Sequence, residues 1–199
     1  MIAILPSIFL CLCLSILVLV LYAEVLRELL CTFPNLAMTA DSSNTTALHT
    51  AATQGNIDVV NLLLETDSNL AKIARNNGKT VLHSAARMGH LEVVKALLQK
   101  DPSIGFRTDR KGQTALHMAV KGQNQDIVIE MLKPDPSILS LEDNKGNTAL
   151  HIATKKGRTQ VISSFLCLCN SLLLLSISCA ERHPRAHTHT HALGVIERE

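Results

Sequence analysis

The sequence is poor in aromatic residues and in charge of either sign. It has no Trp, one Tyr and four Phe, so that aromatics make up 3% of its 199 residues. So few rings leave little surface for stacking on unpaired bases, which argues against binding of single-stranded nucleic acid. Charged residues make up only 18%, with 19 Lys and Arg against 17 Asp and Glu. This balance excludes a polybasic nucleic-acid arm and an acidic disordered tail as the main theme of the chain.

Cysteine is absent from the part of the chain where a folded domain is expected. Residues 45–160 contain none of the six cysteines, which lie in two apolar end segments and at Cys31. A disulfide framework would need cysteines inside the folded part, and neither Cys-x-Cys pair has the C-x-x-C spacing of a zinc or redox site. The middle of the chain therefore favours a reducing compartment.

Motifs that carry catalysis are also missing. The sequence has no phosphate-binding loop, no GxSxG and no Ser–His–acid or Cys–His set, so we predict no enzyme, no cofactor and no small-molecule substrate. Four histidines recur every 34 residues, which places them on successive structural units about 10 Å apart, too far for one metal ion. The denser tail group His183, His187, His189 and His191 is similar to an expression tag, and we predict no functional metal site.

What the chain does contain is a repeat of 34 residues. A Thr-Ala/Val-Leu-His tetrapeptide begins at Thr46, Thr80, Thr114 and Thr148, and an Ala follows each His by two residues. Each Thr suits a helix N-cap, and a His at the third helical position can reach back to that cap. The helix is predicted to end at Gly55, Gly89 and Gly157, a series broken at Gln123. A second helix with a Val-Val…Leu-Leu stripe follows, as in Val93, Val94, Leu97 and Leu98.

One such helix pair is too small to bury its own apolar face, so the units are expected to stack into an all-α solenoid. The segments TALHTAATQGNIDVVNLLLE and TVLHSAARMGHLEVVKALLQ resemble the ankyrin repeat nearly throughout. The resemblance implies complete repeats at 45–78, 79–112 and 113–146, with partial repeats at 23–44 and 147–166. It implies that Leu82, Ala85, Val94 and Leu98 are buried between neighbouring units.

A narrower resemblance is to a plant family. The 34-residue period, Ala or Val after the Thr, and the DPSI loops at 101–104 and 135–138 are similar to that family. Its members carry N-terminal ankyrin repeats and a multi-span membrane domain containing Pro-Gly-Gly, and are implicated in salt-stress and defence signalling. This chain resembles a truncated form that lacks the membrane domain. Residues 167–199, apolar and then His-rich, are predicted to be poorly ordered.

The N-terminal segment, residues 1–22, is predicted to be an apolar transmembrane helix. Residues 2–22 carry no charge, and a helix of that length spans about 30 Å, the thickness of a bilayer core. We expect this helix to tether the repeats to a plasma membrane or endomembrane, with the repeats facing the cytosol. A signal peptide and a segment that the mature protein does not carry remain as alternatives.

The resemblance also implies a binding surface on the concave side, formed by the turn tips and the outward face of each first helix. Basic residues predominate there, which favours an acidic protein segment or anionic lipid as partner. The alternative is that these positions are simply solvated, as turn tips are in any ankyrin domain. For function, the two hypotheses are a membrane-tethered interaction module and a soluble or non-functional fragment that competes with a full-length relative. The predicted partner-binding residues are Arg75, Asn77, Lys79, Arg87, Met88, Arg110, Lys111, Gln113, Lys121, Lys145, Asn147 and Lys155.

Overall fold

The computed structural model describes residues 23–166, which form a stack of antiparallel helix pairs. These residues contain no β-strand beyond isolated bridges, which confirms the predicted all-α repeat solenoid. Short 3-10 helices follow four of the helices, at Pro34–Met38, Ser68–Lys72, Pro102–Phe106 and Pro136–Ser140. The α-helices are α1 (Ala23–Thr32), α2 (Ala47–Gln54), α3 (Ile57–Thr66), α4 (Val81–Met88), α5 (Leu91–Lys100), α6 (Ala115–Gly122), α7 (Gln125–Leu132), α8 (Ala149–Lys155) and α9 (159–166).

The two predicted end segments, residues 1–22 and 167–199, lie outside the described residues. Within residues 23–166, no helix has the length and apolar character needed to cross a membrane.

The first helix of each pair begins at the predicted threonine. Thr46, Thr80, Thr114 and Thr148 each form a capping box with the histidine three residues on, which confirms the predicted contact in all four copies. A residue in the left-handed backbone conformation follows the helix, as in Gly55 with φ 80° and Gly89 with φ 95°. Helix α6 reaches the same conformation without glycine, because Gln123 takes φ 65°.

The core runs through the stack between successive units. Ala51, Ala85, Ala119 and Ala153 are fully buried, which lets neighbouring first helices approach closely. The second helices bury the predicted stripe, which in α5 is Val93, Val94, Leu97 and Leu98. Burial of Leu82, Ala85, Val94 and Leu98 is thus confirmed. Each large side chain removed from water contributes about 1.5–3 kcal/mol.

Four tight loops, which we call fingers 1 to 4, join the repeats at residues 40–46, 74–80, 108–114 and 142–148. In the first three, an isolated antiparallel bridge pairs the first and last residue. A residue with positive φ closes each tip: Gly78, Gly112 and Gly146 with φ 71–80°, and Asn44 with φ 58°. Backbone hydrogen bonds of 3.0–3.1 Å link successive fingers through the N–H groups of Asn76, Arg110 and Asn144. The fingers therefore form one continuous row.

Candidate partner-binding surface

An aspartate shapes three of the four fingers. Oδ1 of Asp109 accepts the N–H groups of Lys111 at 2.8 Å and Gln113 at 3.0 Å. In the fourth finger, Oδ1 of Asp143 accepts the N–H groups of Lys145 and Asn147 at 2.9 and 3.0 Å. Both aspartates are buried. Their carboxylates therefore hold the turns, while the neighbouring Lys111 and Lys145 remain exposed.

Hydrogen bonds also fix the charge of Asp143. Burial raises the pKa of its carboxyl, but the Gln113 amide and the N–H groups of Asn147 and Lys145 lower it more. The pKa of Asp143 consequently lies well below its usual range, and the side chain stays ionised.

Buried histidines tie two of the first helices, α4 and α6, to the next finger. Nδ1 of His83 accepts the Thr80 N–H at 3.2 Å and its hydroxyl at 2.8 Å. Nε2 therefore carries the proton, and it donates to the Gln113 carbonyl at 2.9 Å. His117 makes the equivalent bond to the Asn147 carbonyl at 3.1 Å. These contacts support a capping and bridging role, and no metal-like group of three His, Cys, Asp or Glu occurs within residues 23–166.

Fingers 3 and 4 and the end of α6 enclose a cleft rich in positive charge. It contains four cations and a single carboxylate, which belongs to Asp143 and is already engaged in hydrogen bonds. We call it the basic cleft; its lining residues are Arg110, Lys111, Gln113, Lys121, Asp143, Asn144 and Lys145.

The sequence matches a known protein family. A family model of ankyrin repeats, built on three copies, matches residues 16–108 and 102–172. The chain belongs to the ankyrin-repeat family. Ankyrin repeats indicate a protein–protein interaction module and are generally non-enzymatic. No curated protein matches the chain. The narrower plant family, its membrane domain and the truncation stay predictions.

Gln113, one of the predicted binding residues of this ankyrin domain, is largely buried in the cleft wall. Gln113 was expected on an exposed tip, but it is only 7% exposed. Its Nε2 donates to Oδ2 of Asp143 at 3.0 Å, and its Oε1 accepts a hydrogen bond from Nζ of Lys121. Gln113 is thus a structural link in the wall of the cleft, because both ends of its amide are used within the ankyrin stack.

Lys121 is also less exposed than the sequence suggested. Burial lowers the pKa of its ammonium group, and the charges of Asp109 and Asp143 oppose that effect. The side chain is half-buried and faces the cleft. A cation held in this way lacks part of its hydration shell, so an incoming anion would meet a smaller desolvation cost.

The remaining predicted residues fall into three groups. Arg110, Lys111 and Lys145 are exposed and meet Lys121 in the basic cleft. Arg75 and Asn77 lie in a second cleft, between fingers 1 and 2, which Ser43, Thr45 and Asn76 complete. The others line neither cleft: Arg87, Met88 and Lys155 are exposed near the ends of first helices, and Lys79 and Asn147 are half-buried in their fingers.

Besides Asp143, the predicted set omitted one residue of the basic cleft, Asn144. Its Nδ2 donates to the Arg110 carbonyl at 3.1 Å, across adjacent fingers. The sequence carries a signal for it, because Asn144 lies one 34-residue period after Arg110.

Proposed function

We propose that this ankyrin domain is a protein-interaction module whose basic cleft binds an acidic segment of a protein partner. The observation that carries the proposal is the convergence of Arg110, Lys111, Lys121 and Lys145 around one carboxylate. That carboxylate, Asp143, accepts hydrogen bonds from Gln113 and from two backbone N–H groups. The cleft consequently offers more donors and more positive charge than its own acceptors can use.

The arrangement suits recognition of charge by a fixed surface. Backbone hydrogen bonds between fingers and the aspartate-closed turns hold the cations in place before a partner arrives. Complementary charge of this kind raises the association rate and selects partners more than it adds affinity. We therefore expect binding that weakens steeply as salt is added.

The test is a charge reversal with a matched control. One variant replaces three cations of the cleft by Glu: Arg110, Lys111 and Lys145. The control variant replaces three exposed cations outside the cleft by Glu: Arg27, Lys100 and Arg107. Binding of a fluorescent Glu-rich peptide is measured by anisotropy, with circular dichroism to check folding.

We expect the cleft variant to bind about 10- to 100-fold more weakly, since each rim charge contributes up to about 1 kcal/mol. The control variant should bind within a factor of about three of the parent chain. Equal loss in both variants would show a general charge effect. Binding to phosphatidylserine vesicles with none to the peptide would assign the cleft to a membrane surface instead. Either outcome overturns the proposal.

We further propose that residues 2–22 tether the module to a membrane, with the repeats in the cytosol. The support is 21 consecutive residues without a charge, long enough for a bilayer core. The intact chain should then resist carbonate extraction from microsomes, while a chain shortened to begin at Ala23 should be released. Protease added outside sealed microsomes should digest the repeats. Release of the intact chain would favour the alternative, a fragment that competes for partners.

We also propose that this module acts in plant stress or defence signalling. This proposal rests on the resemblance of the 34-residue period and the DPSI loops to the plant family.

A further inference from the structure

Arg75 occupies a position that the other fingers give to aspartate. One period before and after it lie Asp41 and Asp109, and a second period on lies Asp143. Each of these aspartates accepts two backbone N–H groups of its own finger. In finger 2 the turn is closed differently, because Oδ1 of Asn77 accepts the Lys79 N–H at 3.0 Å. A cation has therefore replaced the carboxylate without loss of the turn.

The guanidinium of Arg75 is short of acceptors. Its Nε is buried and has no hydrogen-bond partner among the described residues. Burial lowers the pKa of Arg75, and the charge of Asp41 opposes this effect. A buried donor without an acceptor is costly, and it is uncommon unless a ligand or water completes it. The side chain also faces the cleft between fingers 1 and 2, where Ser43 and Asn76 line the wall.

A second unsatisfied donor belongs to the same neighbourhood. Nε2 of His49 is fully buried, yet it makes no hydrogen bond of ordinary geometry, unlike the equivalent atoms of His83 and His117. Burial and the nearby charge of Arg75 lower the pKa of His49 to about 4. The Lys79 carbonyl raises this pKa, but by less than the other two effects lower it. Within residues 23–166, these are the two buried side-chain donors without a hydrogen-bond partner, and the charge of Arg75 acts on His49.

We propose that the cleft between fingers 1 and 2 binds one carboxylate group of the acidic partner, held by the planar fork of the Arg75 guanidinium. The proposal rests on the proposed function, since the carboxylate belongs to that partner. A carboxylate matches the two parallel donors of Arg better than a single-point acceptor does. The bound carboxylate would also place a negative charge in finger 2, as Asp41, Asp109 and Asp143 do in their own fingers.

The two clefts then set a spacing in the partner. The first lies between fingers 1 and 2 and the second between fingers 3 and 4, so that Arg75 and the nearest finger of the basic cleft, finger 3, are one repeat or about 10 Å apart. An extended peptide advances about 3.3 Å per residue. We therefore expect an acidic residue for Arg75 at least about three positions from the acidic residues that occupy the basic cleft.

The direct test follows the buried atom by nuclear magnetic resonance. The intact, ¹⁵N-labelled chain is titrated with acetate, with chloride at equal ionic strength as the control and inorganic phosphate as a second arm. The Nε–Hε signal of Arg75 is identified by its loss in Arg75→Lys. We expect that signal to shift saturably with acetate and to stay in place with chloride. No shift with acetate, an equal shift with chloride, or a saturable shift with phosphate alone would overturn the proposal.

Two variants link the cleft to partner binding. Arg75→Lys keeps the charge but removes the fork, and it should weaken binding of the Glu-rich peptide by about tenfold. Arg75→Asp restores the aspartate of the other fingers. It should fold with undiminished thermal stability, because an aspartate there can accept the N–H groups of Asn77 and Lys79, and yet lose the same affinity. Parent-like peptide binding by Arg75→Asp would contradict the proposal.

The outcomes separate this inference from the proposed function. One outcome is that the acetate titration leaves the Arg75 signal unchanged while charge reversal of Arg110, Lys111 and Lys145 still weakens binding of the peptide. In that case only the carboxylate site fails. If acetate shifts the Arg75 signal but the cleft reversal has no effect on the peptide, the basic cleft fails instead.

Discussion

The side-chain amide of Gln113 donates a hydrogen bond to the carboxylate of Asp143, 3.0 Å away and 30 residues further along the chain. The backbone carbonyl of the same residue accepts a hydrogen bond from Nε2 of His83. Gln113 therefore joins helix α4, its own finger and the next finger. This single residue of the cleft wall connects finger 4 to the preceding repeat.

Replacing Gln113 by Ala should lower the free energy of unfolding by about 1–3 kcal/mol, because the buried carboxylate of Asp143 loses a donor and Lys121 loses its acceptor. Urea unfolding measures the change. Gln99→Ala, at an exposed position of α5, is the control and should stay within about 0.5 kcal/mol of the parent chain. Equal effects of the two substitutions would show that the link carries no stability.

The core can be tested with two leucines at equivalent positions of the repeat. Leu82 is fully buried, whereas Leu150 is 39% exposed. Leu82→Ala should cost about 2–5 kcal/mol, because it leaves a cavity between units, and Leu150→Ala should cost clearly less. Thermal melts followed by circular dichroism compare them. A similar loss for both leucines would contradict the stacking order described above.

Two tip glycines separate backbone strain from crowding. Gly112 and Gly146 have nearly the same φ, 71° and 72°. A Cβ on Gly112 would lie 2.8 Å from the Asn144 backbone N, while on Gly146 the nearest atom would be 3.8 Å away. Gly146→Ala should cost about 1–2 kcal/mol for the left-handed backbone, and Gly112→Ala measurably more. Equal losses of stability for Gly112→Ala and Gly146→Ala would contradict the close packing of fingers 3 and 4.

Acid should destabilise the domain through its buried histidines. Burial lowers the folded-state pKa of His49, His83 and His117 below the ordinary value of 6.5, to about 4 for His49. The unfolded chain therefore binds protons below about pH 6.5 that the folded chain does not. Stability is complete above that pH and is lost as the pH falls towards 4. For His49 the full effect is about 3 kcal/mol.

Urea midpoints between pH 7.5 and 4.5 measure this loss. His83→Gln should reduce the slope of stability against pH, even though it lowers stability at pH 7.5. A midpoint that does not change over this range would contradict neutral, buried histidines.

The sequence predicted the elements of the fold because the determinants are local and repeat four times. Thr46 and His49 form their capping box within one turn, and Ala51 is buried by the same periodicity. It does not show the burial of Gln113, whose polar side chain looks like a solvated tip until the next finger places Asp143 against it. Arg75 was predicted as a surface cation for the same reason. A single repeat does not show which tip residues its neighbour covers.

The basic cleft is tested most directly by mapping where an acidic segment binds. Hydrogen–deuterium exchange of the intact chain, read by mass spectrometry, compares the free protein with its complex with the Glu-rich peptide. Our account predicts slower exchange in fingers 3 and 4, residues 108–114 and 142–148, with no change in the second helices α3, α5 and α7. Protection confined to those second helices, or spread evenly over the chain, would contradict it.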